Sequence, residues 1–425
     1  MTATLPPMLR ANNEVLTLIK NPDFGLPAVS DSAAGDYRPK LSLDYIGQPY
    51  LVAGVDRFGT YLGGGASLFW SDMLGDHNLA TMLQATGNFE EIAAVAAYQN
   101  LKRRLNWGAT IQQIPYVAGD FASGFGEING TSAYIEQEIR LRQINRDIAG
   151  VLGYPFSRAQ RFELSAGYRH ISFDSEVRTI AVSTATGRVI LDRTEDLPSP
   201  RSLSLGQASA ALVYDTSIFG ATSPILGQRY RLEISPSYGS LSSYSALADY
   251  RRYVMPARPF TLAARVLHYG RYGRDAEDGR LFPFFLGCST LVRGYDFNSF
   301  SADECGASAS GDCPVVDQLF GSKMLPGNFE LRFPPFGVLG LGGGYYGFLP
   351  IELGAFYDAG VAWTKNEKAW FLDGSRNLVR SAGATLRLNL LGYLIAEVIF
   401  VYPLDRPKKG WHWQFSLTPG FEEVL

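Results

Sequence analysis

From Lys40 onward the chain alternates apolar and polar residues with a period of two, the spacing at which successive side chains of a strand point to opposite faces. In "GQRYRLEISPSYG", Tyr230, Leu232 and Ile234 share one face, while Arg229, Arg231 and Glu233 share the other. "GNFELRFPPF" sets Phe329, Leu331 and Phe333 against Asn328, Glu330 and Arg332, and "RSAGATLRLNLL" sets Leu386, Leu388 and Leu390 against Thr385, Arg387 and Asn389. The last such segment, "GWHWQFSLTPGF", puts Trp411, Trp413, Phe415 and Leu417 opposite His412, Gln414, Ser416 and Thr418. Sixteen segments of this kind are expected, the first at 40–48 and the last at 411–421. Roughly ten residues of alternation between turn clusters is the signature of a strand that crosses a bilayer.

An even number of strands brings both ends of an up-and-down barrel to one side. The turns "SDMLGDH", "SIFGATSPILGQ" and "FPPFGVLGLGG" then fall on the side of the termini, and the excursions 117–130, 177–202 and 272–323 fall on the opposite, extracellular side. The fold expected is therefore all-β: a 16-stranded antiparallel transmembrane barrel over residues 39–421, preceded by a proline-bearing linker at 1–38 with one helical stretch at 8–20. A soluble sandwich or propeller also alternates, but its outward faces would carry lysine and glutamate where this chain has Trp, Phe and Leu.

Composition supports that choice. The 425 residues include 45 glycines, 26 Phe, 23 Tyr and 6 Trp, a mixture suited to tight turns and to aromatic rings at a membrane interface. No uninterrupted apolar run is long enough for a membrane helix; the greasiest stretch, from residue 337, is broken by Pro350, Glu352 and Asp358. With 38 basic and 41 acidic residues, and no like-charge block longer than Lys102-Arg103-Arg104, the chain lacks an electrostatic footprint for nucleic acid. The N-terminus has no basic start followed by an apolar core, so no signal peptide is read, and the chain is expected to be the tail of a longer one.

Candidate chemistry centres on "STLVRGYDFNSF" (289–300), where Arg293 and Asp296 sit among bulky apolar residues in the longest excursion. If the alternation continues through "PIELGAFYDAGVAW", Glu352, Phe356 and Asp358 face the lumen, and Ile351, Leu353, Tyr357 and Val361 face lipid. Glu330 faces inward by the same count, so two acids would lie inside on adjacent strands. Buried acids left unpaired are costly. A loop folded into the lumen could meet both with Arg293, turning at Gly294 and packing Tyr295 and Phe297 on the inner wall. One such contact is worth on the order of 4 kcal/mol before desolvation is subtracted.

Four motifs in order, "LVRGYDFNSF", "GNFELRFP", "ELGAFYDAGVAW" and "SAGATLRLNLLGYLIAEVIFVYPL" followed by the aromatic final strand, resemble the C-terminal barrel of the bacterial surface antigen superfamily, the BamA/TamA-like outer-membrane barrels. The resemblance implies that the VRGY loop enters the barrel and that its arginine bonds the acid of an F-x-D-x-G strand and a glutamate one strand earlier. Arg293, Asp358 and Glu330 match those positions, with Gly294 and Tyr295 completing the motif. It further implies a seam between the first and last strands, here Leu41, Leu43 and Tyr45 against Trp411, Trp413 and Phe415. "YLGGGASLFWSDMLGDH" is similar to surface-antigen barrels fused behind a periplasmic propeller; the family's POTRA repeats are not in this sequence.

The function implied is insertion of outer-membrane proteins or translocation of polypeptide in a Gram-negative outer membrane, with the bilayer and unfolded outer-membrane clients as partners. An anchoring barrel for a fused or associated periplasmic or surface domain, or a passive pore, is the alternative. Cys305 and Cys313 are placed for a disulfide, leaving Cys288 as a small apolar residue. No metal or cofactor is expected: His77, His170, His268 and His412 are scattered, and the runs "LGGGAS" and "GLGGGYYG" lack the lysine of a phosphate loop. Glu330 and Asp358 could serve acid-base catalysis, but an arginine partner would hold both ionised, so no enzyme is expected.

Overall fold

The computed structural model describes residues 17–18, 20–21, 36–47, 50–56, 59–86, 92–305, 313–390, 392 and 394–419. Its contacts divide the chain into two units, Met1–Lys40 and Leu41–Leu425. In the first, Thr17, Leu18 and Lys20 are helical; the rest of the helix expected at 8–20, and most of the linker at 1–38, lie outside the described residues.

The second unit is an antiparallel sheet in which successive long strands pair. β1 (Ser42–Ile46) and β2 (Tyr50–Asp56) share one partner, β3 (Gly59–Ser71), lying along different parts of it. β4 (His77–Thr86), β5 (Ile92–Asn100), β6 (Asn106–Ile128), β7 (Thr131–Pro155) and β8 (Gln160–Ser183) follow. β9 (Val189–Asp196) and β10 (Leu203–Asp215) again share a partner, the two parts of β8. β11 (Ile218–Phe219) folds onto β12 (Pro224–Gly239), which pairs with β10 and leads to β13 (Ser243–Ala257) and β14 (Phe260–Tyr272). β15 (Phe284–Phe285) and β16 (Phe320–Gly321) pair with each other between β14 and β17 (Lys323–Phe333). β18 (Ile351–Trp363), β19 (Val379–Leu390), β20 (Leu394–Pro403) and β21 (His412–Pro419) complete the ladder.

The two faces of this sheet invert the pattern of a soluble protein. Leu232, Ile234, Phe329, Tyr357, Leu386, Trp413, Phe415 and Leu417 are exposed, whereas Glu330, Glu352, Asp358 and Thr385 are buried. Apolar side chains outside and polar ones inside are what a strand needs when its outer solvent is hydrocarbon. Among the described residues no helix is long and apolar enough to cross a membrane.

Three expectations require correction. The excursions 117–130 and 177–202 are largely strand: β6, β7 and β8 run for 23, 25 and 24 residues and carry β9 beside them as a ribbon. At the usual rise a 25-residue strand is roughly 80 Å long, far more than a bilayer core needs. The ribbon turns at Asn129-Gly130, with φ of 49° and 76°, the two left-handed residues that a two-residue hairpin requires. Secondly, the closed cylinder is absent among the described residues. β21 pairs with β20, β1 and β2 pair with β3, and no ladder joins the two edges. A break in register between Leu43 and Tyr45, in a five-residue strand whose side chains are all exposed, disrupts the regular edge that closure would use. Thirdly, Val361 does not face lipid. It is buried with Trp363 and Ala369 against Leu325 and Leu378, because the segment 364–378 folds back over that end of the apolar face.

Candidate functional site

Strand register assembles the site. β17 sets Asn328 opposite Asp358 and Glu330 opposite Phe356; β19 sets Ser381 opposite Asp358 and Arg387 opposite Glu352; β20 sets Glu397 opposite Arg387. Directly opposed residues share a face, so this column of charged groups follows from the pleat alone.

The segment between β14 and β17 lies on that polar face. Its apolar residues Leu286, Leu291, Val292, Tyr295 and Leu319 are buried in one cluster with Leu267, Met324, Ala362 and Val379 of the sheet. Burial of this collar fixes the turn that carries Arg293. The guanidinium meets Asp358 through two parallel bonds, Nε to Oδ2 at 2.7 Å and Nη2 to Oδ1 at 2.8 Å, and the Arg293 backbone N–H adds a third to Oδ2 at 3.2 Å. Asn328 donates from Nδ2 to Asp358 Oδ1 at 2.8 Å and to the Leu291 carbonyl at 2.6 Å, tying loop and strand through one amide. The guanidinium carbon also lies 3.5 Å from the centre of the Phe356 ring. Gly294 adopts φ of 86°, and a Cβ there would stand 2.9 Å from Val401 Cγ2. Tyr295 donates from Oη to the Arg380 carbonyl at 2.8 Å.

The structure thus brings Arg293, Gly294, Tyr295 and Asp358 together, but it divides the acids differently from the sequence reading. Arg293 Nη1 is 3.8 Å from Glu330 Oε1, an ion pair without a hydrogen bond. Glu330 is held instead by Arg332 at 2.7 Å, Arg387 at 2.9 Å and the Thr385 hydroxyl at 3.0 Å. Arg387 also reaches Glu397 at 2.8 Å and Glu352 at 3.4 Å, and Ser223 donates to Glu352 at 2.7 Å. Two acids waiting for one cation is therefore the wrong picture: Glu330 already has two arginines on its own wall. The signal was available, since Arg332 stands two residues from Glu330 and Arg387 alternates inward on the same count. Phe297 is likewise exposed, touching Phe285 and Phe320 edge to face, and does not line the wall.

The remaining candidates lie apart from this cluster. Cys305 and Cys313 form a disulfide. Cys288 is exposed rather than packed as an apolar residue, and lines a cavity of about 790 Å³ with Arg231, Asp249, Arg251, Arg265 and Phe284. The seam residues Leu41, Leu43, Tyr45, Trp411, Trp413 and Phe415 are all exposed, the first three at the start of the sheet and the last three at its end. Among the described residues no group of His, Cys, Asp and Glu is arranged for a metal ion.

An arginine from a long loop, clamped to the acid of "FYDAG" on the polar face of an amphipathic antiparallel sheet, agrees with a family model: residues 97–420 match the Omp85 superfamily domain. The chain belongs to the Omp85 superfamily. Its fold is similar to BamA from Haemophilus ducreyi lacking POTRA domains 1–3, with a TM-score of 0.55 and 14% identity over 90% of this chain and 70% of that one. CdiB from Acinetobacter baumannii is also similar, at TM-score 0.48 and 12% identity over 89% of this chain and 64% of that one. No curated protein matches the sequence. Membership bears out the resemblance drawn from the four motifs and places the chain in a superfamily of outer-membrane proteins that assemble or translocate polypeptide. In this Omp85 chain the match starts within β5 and runs to the end of β21, so it includes the whole charged column and its loop.

Proposed function

We propose that this Omp85 chain forms a sixteen-stranded outer-membrane barrel that promotes insertion of other outer-membrane proteins, or passage of polypeptide, through the seam between its first and last strands. The observation that carries the reading is the pair of edges that have no outer partner among the described residues, β1–β2 on one side and β21 on the other. An edge strand presents free N–H and C=O groups on which an incoming strand can pair. Trp413 and Phe415 at the last edge are exposed and apolar, which suits an opening toward lipid.

In this reading the VRGY loop folds into the lumen, and the Arg293–Asp358 clamp holds the wall rigid while the seam opens; the site carries no bond-making chemistry. A loop packed against β14, β17, β18 and β19 also supports an occupied lumen and disfavours a passive pore. Reconstitution tests the proposal. Purified chain in liposomes is expected to speed the folding of an unrelated unfolded outer-membrane barrel several-fold over empty liposomes, with little ion conductance. An unchanged folding rate would overturn it, in favour of a pore if ions pass and of an anchor if they do not.

A further inference from the structure

Among the described residues the largest fully buried side chain is Arg406, which belongs to the turn between β20 and β21. Its guanidinium reaches into the VRGY loop from the opposite side. Nε and Nη2 meet the Glu304 carboxylate at 3.0 Å and 2.5 Å, Nη1 donates to the Gly294 carbonyl at 3.1 Å and to Ser299 Oγ at 2.9 Å, and Nη2 donates to the Ser299 carbonyl at 2.8 Å. The Phe300 ring lies 4.0 Å below it. All five guanidinium donor positions cannot be satisfied by one acid, and here the loop backbone supplies what Glu304 does not.

The neighbours of Arg406 grip the same turn. The Asp405 backbone N–H donates to Tyr295 Oη at 3.1 Å, and the Asp405 carboxylate takes the Arg380 backbone N–H at 2.7 Å and its guanidinium at 2.8 Å. Asp358 and Arg406 therefore hold neighbouring residues of one loop, the first from the wall strand β18 through Arg293 and the second, through the Gly294 carbonyl, from the turn that leads into β21. Among the described residues β21 pairs with β20, so the turn that holds the loop is also the turn that leads into the edge strand.

We infer that Arg406 is a coupling residue that ties the position of the VRGY loop to the last strand. Leaving its seat on the wall, the loop would pull on Gly294 and Ser299 and release the β20–β21 turn; if β21 swings away, the loop loses its outer grip. The functional weight of this coupling rests on the seam proposed above. Its test does not, because it needs no client.

Hydrogen exchange of the full chain in phosphatidylcholine vesicles reads the coupling. Arg406→Ala is expected to raise exchange at least tenfold in both 289–305 and 412–419, and Arg293→Ala to raise it at both places while Arg406 is present. In the double variant, exchange at 412–419 should be no faster than in Arg406→Ala alone. Unaltered protection of 412–419 in Arg406→Ala, or effects of the two substitutions that multiply there, would overturn the inference. Should Arg406→Ala fail to fold, Glu304→Gln keeps the volume and is expected to raise exchange in both segments about threefold; protection of 412–419 equal to the parent would overturn it. A chain that shows coupled exchange but does not speed client folding refutes the seam and leaves the coupling standing.

Discussion

Arg293 and Asp358 are both buried, so each charge depends on the other for the solvation it has lost. Removing one partner of such a pair leaves an uncompensated buried ion and costs about 3–5 kcal/mol. Asp358→Asn is accordingly expected to lower the temperature of the heat-induced gel-mobility shift markedly. Arg293→Lys should do almost as much, because an ammonium cannot make two parallel bonds or lie flat on Phe356. Gly294→Ala should cost about 1–2 kcal/mol for its left-handed backbone, plus the displacement of Val401, and should be visible in the same assay. Equal mobility of the parent and all three variants on heating would mean that the clamp does not stabilise the fold. Glu304 makes a pH prediction. Its hydrogen bonds to Arg406 lower its pKa from the ordinary 4.5 to about 2, against the opposing effect of burial. A depressed carboxyl pKa gives stability that is complete above the unfolded value and is lost as pH falls through the folded one. Protease resistance of the loop around Ser299 should therefore hold at neutral pH and fall between about pH 4.5 and 2; Glu304→Gln should flatten that profile.

Strands β6 to β9 show what alternation alone conveys and where it stops. The period of two reads the same in a membrane span and in a ribbon projecting from it, so the sequence reading marked 104–116 and 160–176, the lower parts of β6 and β8, but 131–145, the ribbon end of β7, and left 117–130 and 146–155 as connections. "ING" at 128–130 was the legible sign of a tight hairpin. Gly130→Val, forcing a β-branched residue to φ of 76°, is expected to raise hydrogen exchange at the ribbon tip and leave β12, β13 and β14 unchanged. Faster exchange throughout the sheet would show that the ribbon is part of its cooperative unit. The charged column was readable because Glu330, Asp358 and Arg387 obey the pleat. Arg406 was not, since "LDRPKKG" looks like any basic turn and nothing local reports a partner about a hundred residues earlier in the chain.

At the scale of the whole molecule, one apolar face, one polar face and two edges that no ladder joins among the described residues are the basis of the proposal of a membrane barrel that is braced on its inner side and parts at one seam. The even strand count suggested closure, but hydrogen bonding between the first and last strands depends on register and length at β1 and β21, which hydrophobic pattern does not encode. Cross-linking those edges tests the account most directly. With Cys288 replaced by serine, cysteines are introduced at Leu43 and Phe415 and joined by a short bifunctional reagent, and client folding in liposomes is compared before and after joining. The account predicts that the joined protein keeps its heat-modifiable migration and loses its effect on client folding; undiminished activity in the fully joined protein would contradict it.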